Sequence, residues 1–203
     1  MGFTRGRILS AGVGALGVAL ISGTPYSRAA SHAGHKGLAP HAEAVVASGE
    51  HVVDTFELRA VNTMETVTVR YVDGVIDPAS KQQVDYVMRC LRTEGGKPID
   101  PRLVDMLHAI AGEVGGHLDL VSGYRAPKSW HEHNFHNRGE AADIRVPGMP
   151  ARKLRSVAKK LGIKGIGWYP TTNMIHVDVR DEEYFWIDWS GPNQIGREMR
   201  IRY

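Results

Sequence analysis

Three helical stripes separated by short strand-like runs constrain this chain more than any other feature. Apolar residues recur at i, i+3, i+4 and i+7 in Val84, Val87, Met88 and Leu91, in Leu103, Met106, Leu107 and Ile110, and in Leu154, Val157, Ala158 and Leu161. That spacing gathers each set on one helix face, which reads as core. Pro101 opens the second helix and Pro150 the third, near positions where a missing N–H costs nothing. Gly95-Gly96 closes the first helix and Gly162 the third. Residues 52–60, 66–72, 117–121, 141–146, 164–168 and 175–179 read as strands. Asn62 and Thr63 let the first two pair as a hairpin, and Asp73-Gly74 is a second turn signal. Strands and helices in this mixed order predict an α+β domain, with a small, mainly antiparallel sheet packed against helices. A chain of 203 residues holds one core of good size.

The two ends read differently from that core. Arg5 and Arg7 precede an apolar, small-residue run over 8–21, and Gly23, Thr24 and Pro25 break it. Ser27-Arg28-Ala29 then places small residues where a signal peptidase reads. Residues 1–29 are a secretory signal in pattern, with an apolar run too short for a comfortable span. The processed chain is expected to keep no stable membrane span. Residues 30–50, with His32, His35 and His41, read as a flexible linker of weak, incidental metal affinity. Residues 51–189 read as the folded domain and 190–203 as a C-terminal extension with basic Arg197, Arg200 and Arg202.

The leader also accounts for the charge. Losing Arg5, Arg7 and Arg28 takes 25 basic residues to 22, against 22 acidic. The basic isoelectric point is then no argument for nucleic-acid binding. The single cysteine, Cys90, excludes an internal disulfide in a chain that reads as exported, and sits in a helical pattern as a small packed residue. The sequence sets no oligomeric state.

Against this scaffold, one polar constellation stands out. His136 and Asp143 flank Gly139, and His176-Val177-Asp178 follows downstream. Two imidazoles and a carboxylate suit a catalytic zinc, which takes such ligands at roughly 2.0–2.2 Å and keeps a position open for water. Zinc lowers the pKa of that water and supplies a nucleophile near neutral pH. Gly139 lets the chain bend between the first two ligands. Alternation along 175–179 puts His176 and Asp178 on the face opposite Ile175, Val177 and Val179. Spacing alone also fits ordinary surface histidines, of which His131 and His133 are neighbours.

The motifs Ser122-Gly123-Tyr124-Arg125, His136-x-x-Gly139-x-Ala141-x-Asp143, Gly165-Ile166-Gly167-Trp168-Tyr169-Pro170 and His176-Val177-Asp178 occur in that order. Together they resemble the YcbK-like murein endopeptidases, within the zinc group of D-Ala-D-Ala metallopeptidases and the Hedgehog-like fold. The resemblance implies a zinc-dependent peptidase of the periplasm or cell envelope. Its substrate would be peptidoglycan, cut in its stem peptides or cross-links by metal-activated water. His136, Asp143 and His176 fall on the family's metal ligands, and Arg125 on an arginine that steadies the scissile carbonyl.

Two groups compete for the proton-moving role. Asp178 shares a strand face with His176, and could instead orient it by accepting its free ring N–H. His133 is the other. Trp168, Tyr169 and Trp186 are candidates to line the cleft and contact substrate. Asn173 stands three residues before His176, where several zinc peptidases place an acid or a histidine. The loop between Arg125 and His136 is short for the family, which implies a more open cleft. These departures leave an alternative: a catalytically inactive, zinc-containing protein that binds peptidoglycan.

Overall fold

A computed structural model describes residues 51–129, 134–191 and 194–201. The expected leader, the linker and His133 lie outside the described residues. Among the described residues no helix is long and apolar enough to cross a membrane.

One nine-stranded sheet organises the domain, in the spatial order β3-β2-β1-β4-β5-β7-β6-β8-β9. The strands are β1 (Val53–Ala60), β2 (Thr66–Val72), β3 (Val75–Ile76), β4 (His117–Ser122), β5 (Ala141–Arg145), β6 (Gly165–Tyr169), β7 (Met174–Asp178), β8 (Tyr184–Asp188) and β9 (Glu198–Ile201). The sheet is therefore extensive and mixed, where a small, mainly antiparallel one was expected. β1 runs parallel to β4, and β6 runs parallel to β8. The added extent comes from β3, β8 and β9. Within the expected C-terminal extension, residues 198–201 pair with β8 as an edge strand.

Among the described residues, four helices accompany the sheet: α1 (Pro78–Val87), α2 (Pro101–Val114), α3 (Phe135–Arg138) and α4 (Ala151–Lys160). Asp77 and Asp100 cap α1 and α2, their side chains accepting from the N–H of Ser80 and Arg102. Pro78 and Pro101 each follow their cap in the first turn. α1 ends at Val87, four residues before the periodic pattern does. Tyr124 N–H donates to Met88 O at 2.7 Å and takes the carbonyl that another helical turn would need. Leu91 consequently lies outside the helix and is 44% exposed.

The two faces of the sheet differ. Phe56, Leu58, Val69, Tyr71, Leu118, Leu120, Ile144, Ile166, Ile175 and Val177 pack with the apolar stripes of α1, α2 and α4 into one core. The intervening residues form a polar face. In register across it stand Glu57 with His117, Arg59 with Asp119, Asp143 with His176, and Ala141 with Asp178. The expected alternation along β7 thus holds.

Asp119 shows how a charge is accommodated on that face. It is almost fully buried, and accepts from Arg59 Nε and Nη2 at 2.9 and 3.0 Å, from His117 Nε2 at 3.1 Å and from Arg145 Nε at 3.3 Å. Burial penalises its charge, but hydrogen bonds from His117, Arg59 and Arg145 overcome that and hold the carboxyl below its ordinary pKa. A lowered pKa stabilises the fold above the unfolded value, and the gain is lost as pH falls through the folded one. Asp119→Asn is expected to cost about 1–3 kcal/mol near neutral pH. Denaturant unfolding should show the gap between wild type and variant closing on acidification below about pH 4.

Candidate metal centre

The site is assembled where β5, β7 and α3 meet. α3 is one short turn with a reciprocal cap: Asn134 Oδ1 accepts from Asn137 N–H, and Asn137 Oδ1 accepts from Asn134 N–H. Gly139 follows in the left-handed conformation at φ 75°. It also lies against the Pro98 carbonyl, where a Cβ would approach to 2.8 Å. α3 therefore delivers His136, and the turn at Gly139 leads directly into β5 and Asp143. Asp143 stands opposite His176 in the β5–β7 ladder.

Three donor atoms converge. His136 Nε2 lies 3.1 Å from His176 Nδ1, His176 Nδ1 lies 3.0 Å from Asp143 Oδ1, and His136 Nε2 lies 3.4 Å from Asp143 Oδ1. All three side chains are buried, and their ligand atoms cluster within 4.8 Å. Tetrahedral ligands at zinc-like bond lengths stand about 3.3 Å apart, so the donor set fits such an ion.

Both imidazoles are fixed from behind. His136 Nδ1 lies 2.7 Å from Gly123 O. A carbonyl only accepts, so Nδ1 carries the proton and Nε2 presents a lone pair to the cluster. His176 Nε2 donates to Asp178 Oδ2 at 2.9 Å, which directs Nδ1 to the same point. Asp178 is held in turn by Arg180, whose Nε and Nη2 donate to its two oxygens at 2.7 and 2.6 Å. Hydrogen bonds from the far side of ligating histidines fix their tautomer and raise their basicity.

The electrostatics agree. Burial holds His136 below its ordinary pKa, so it stays neutral. Burial also opposes charge on His176, but its hydrogen bonds to Asp143 and Asp178 raise its pKa instead. Asp143 is desolvated, yet the two histidines keep it ionised far below the usual carboxylate range. Asp178 is likewise desolvated and drawn down to about 2 by His176 and Arg180. A buried carboxylate beside a bare imidazole nitrogen calls for a cation.

The other residues singled out from sequence distribute unevenly. Arg125 stands at the rim, half exposed, with Nη2 3.7 Å from Asp143 Oδ2. Its backbone is pinned by Asn137 Nδ2, which donates to Arg125 O at 2.6 Å. Tyr169 shares the site face: its hydroxyl accepts from Trp186 Nε1 at 3.2 Å, and burial together with the Asp143 charge raises its pKa. Trp186 packs against the His176 ring at 5.0 Å between centroids. Trp168 does not join them. It pairs with Ile175 and points to the helix-covered side, where Arg155 lies over its ring at 5.2 Å. Its expected contact with substrate is therefore corrected: alternation along β6 turns it to the opposite face. Asn173 is spent elsewhere too. It sits at φ 51° in the β6–β7 turn and accepts the Ala151 N–H of α4 at 2.7 Å.

Arg180 and the Gly123 carbonyl were not legible as site groups. A backbone oxygen has no signature in sequence, and an arginine two residues beyond a strand aspartate is usually a solvated charge. The glycines of β6 do carry a signal in retrospect. A Cβ at Gly165 would lie 2.0 Å from Asp178 Oδ1, and one at Gly167 would lie 2.5 Å from the Trp186 ring. Both are bare because site groups occupy the space above them.

Comparison with known proteins gives this arrangement a relationship. Residues 50–183 match the Peptidase_M15_2 family model, described as peptidoglycan L,D-endopeptidase MepK. The chain belongs to that family. It is 31% identical over 134 residues to the probable peptidoglycan L,D-endopeptidase MepK of Haemophilus influenzae, covering 59% of this chain and 72% of the relative. It is 27% identical over 136 residues to the peptidoglycan L,D-endopeptidase MepK of Escherichia coli K12, covering 60% of this chain and 74% of the relative. The likeness to murein endopeptidases expected from the four motifs is borne out, and a peptidase of this family needs a metal site of the kind seen here.

Asp178→Asn leaves all three candidate ligands in place and removes the charge behind His176. The expected outcome is a fall of about 10–100-fold in metal affinity, checked by competition with a chromophoric chelator.

Proposed function

We propose that this chain is an exported, zinc-dependent peptidase that hydrolyses L,D peptide bonds in peptidoglycan cross-links, with residues 51–189 as its catalytic domain. The single observation that carries this reading is the buried triangle of His136, Asp143 and His176, with both imidazoles locked from behind. Membership of a family described as a peptidoglycan L,D-endopeptidase supplies the substrate class and bond type. That substrate belongs to the cell envelope, and residues 1–29 supply a leader in keeping with it.

Zinc, when bound, supplies Lewis-acid activation of water and of the scissile carbonyl. The remaining work falls to side chains. Arg125 is assigned to the carbonyl oxygen of the scissile bond: its guanidinium is at the rim, and it offers several N–H donors to charge developing in the transition state. Tyr169 keeps its proton and is assigned to a polar group of the substrate. Asp178 is assigned to orientation, because His176 and Arg180 already occupy its oxygens. Of the two proton carriers considered, that leaves His133, three residues before His136.

The binding-only alternative loses its main support. The asparagine at 173 belongs to a turn and a helix cap, so a missing acid there says nothing about catalysis.

Full-length protein should bind one zinc and release products of defined mass from cross-linked muropeptides, with activity abolished by chelation. Stoichiometric zinc without turnover on any cross-link would refute the peptidase reading. Arg125→Gln should lower kcat by about 10²–10³-fold with a smaller change in KM, measured by product chromatography. A raised KM with kcat unchanged and normal zinc content would place Arg125 in binding alone.

A further inference from the structure

Beside the metal cluster lies a cavity of about 360 Å³ that none of the roles above uses. Its walls come from the end of β1, the end of β4, the residues after α1 and the loop after β4. Among the described residues, four cationic side chains line it, Arg89, Arg92, Arg125 and Lys128, and no carboxylate does. We propose that this cavity is a carboxylate subsite, which receives an acidic arm of a peptide whose scissile bond lies at His136, Asp143 and His176. The inference rests on the peptidase reading and adds to it the part of the substrate that is recognised away from the reacting bond.

Position is the first argument. Arg125 belongs to both places, lining the cavity while its Nη2 lies 3.7 Å from Asp143. Gly123 also lines it, and its carbonyl fixes His136. A chain lying in the cavity therefore passes directly to the candidate metal centre.

Charge is the second. Arg89 is neutralised by Glu65, to which its two terminal nitrogens donate at 2.8 and 3.1 Å. Arg92 is not: its Nη2 donates to the backbone carbonyl of Ala126 at 2.6 Å, a neutral acceptor. That bond holds the exposed Arg92 guanidinium in place along the lining and leaves other N–H donors for a planar anion. Local backbone dipoles point the same way. Burial raises the Cys90 thiol, but hydrogen bonds from Thr93 and from backbone N–H groups of Ala126, Thr93 and Arg92 overcome it and bring the pKa to about 7. The wall favours negative charge even before a ligand arrives.

Size is the third. A single inorganic ion leaves most of such a volume unfilled, whereas small-molecule sites begin at about 300 Å³. Val87, Leu120 and Ala60 give the cavity an apolar floor, suited to the methylene stem of an acidic side chain.

The test is equilibrium binding by calorimetry on the full chain, with a non-hydrolysable cross-linked muropeptide as probe. Three forms are compared: all carboxylates free, side-chain carboxylates amidated, and only the terminal carboxylate amidated. The free acid should bind about tenfold tighter than one amidated form, as expected for one charge-assisted pair. The amidated form that loses affinity identifies which carboxylate enters. In Arg92→Gln, and separately in Lys128→Gln, that preference should shrink to about threefold or less, with zinc content and turnover of the matching amidated hydrolysable dimer unchanged. Equal binding of all three forms to wild type overturns the subsite, as does a preference that survives both substitutions. A preference that disappears in the variants while no hydrolysable dimer is cut would uphold the subsite and overturn the peptidase reading.

Discussion

The pairing of β5 with β7 is the constraint on which the site depends. It sets Asp143 directly opposite His176 and Ala141 opposite Asp178. Side chains alternate between faces with period two, so a slip of one residue would bury Asp143 among the helices and turn Ile144 to the polar face. The apolar run Ile175, Val177 and Val179 makes that slip prohibitive, since each of the three is buried in the core. The hydrophobic pattern that stabilises the sheet thus also fixes the chemistry, at one register and no other. α3 needs only to present His136 over a triangle whose other two corners are already set.

From that triangle, demands spread outward. Two histidines facing one carboxylate at about 3 Å need their proton positions decided. The Gly123 carbonyl decides one and the Asp178 carboxylate the other. Each answer creates a further requirement. Asp178 is fully buried and needs Arg180, and the pair needs a strand above it with no side chain, which Gly165 supplies. Gly123 lies against Met88, where a Cβ would come within 2.6 Å of the carbonyl oxygen. Met88 O is in turn the acceptor that ends α1. A helix terminus some distance along the chain is thereby tied to the tautomer of a candidate ligand.

This chain of dependence explains what the sequence revealed and what it concealed. β2 was legible residue for residue, because alternation and turn signals bound it on both sides. The candidate ligand set was legible through four ordered motifs, although spacing alone left surface histidines open. The stop of α1 was not, because Leu91 extends the helical period and only a tertiary hydrogen bond from Tyr124 overrides it. β8 was hidden for another reason. Tyr184, Phe185, Trp186 and Ile187 are all large and apolar or aromatic, so no period of two marks their faces. Its parallel partner β6 is reached past β7, a connection that local pattern does not disclose. The position of Trp168 followed from the same limit: motif likeness named the residue, but only the register of β6 says which way it points.

The polar face also explains why the site sits where it does. Asp119, held by Arg59, Arg145 and His117, and Asp143, held by His136 and His176, occupy neighbouring stretches of one surface, and both are buried. Their partners differ in kind. Two guanidiniums stay protonated at any ordinary pH, so the Asp119 group is complete as it stands. Imidazoles exchange a proton for a metal, and His136 is held neutral, so the Asp143 group is the one of the two suited to a cation. Arg125 lies beyond the cluster at 3.7 Å from Asp143, too long for a strong pair and close enough to sense the charge there. A divalent ion among the three ligands would weaken the hold of Asp143 on that guanidinium.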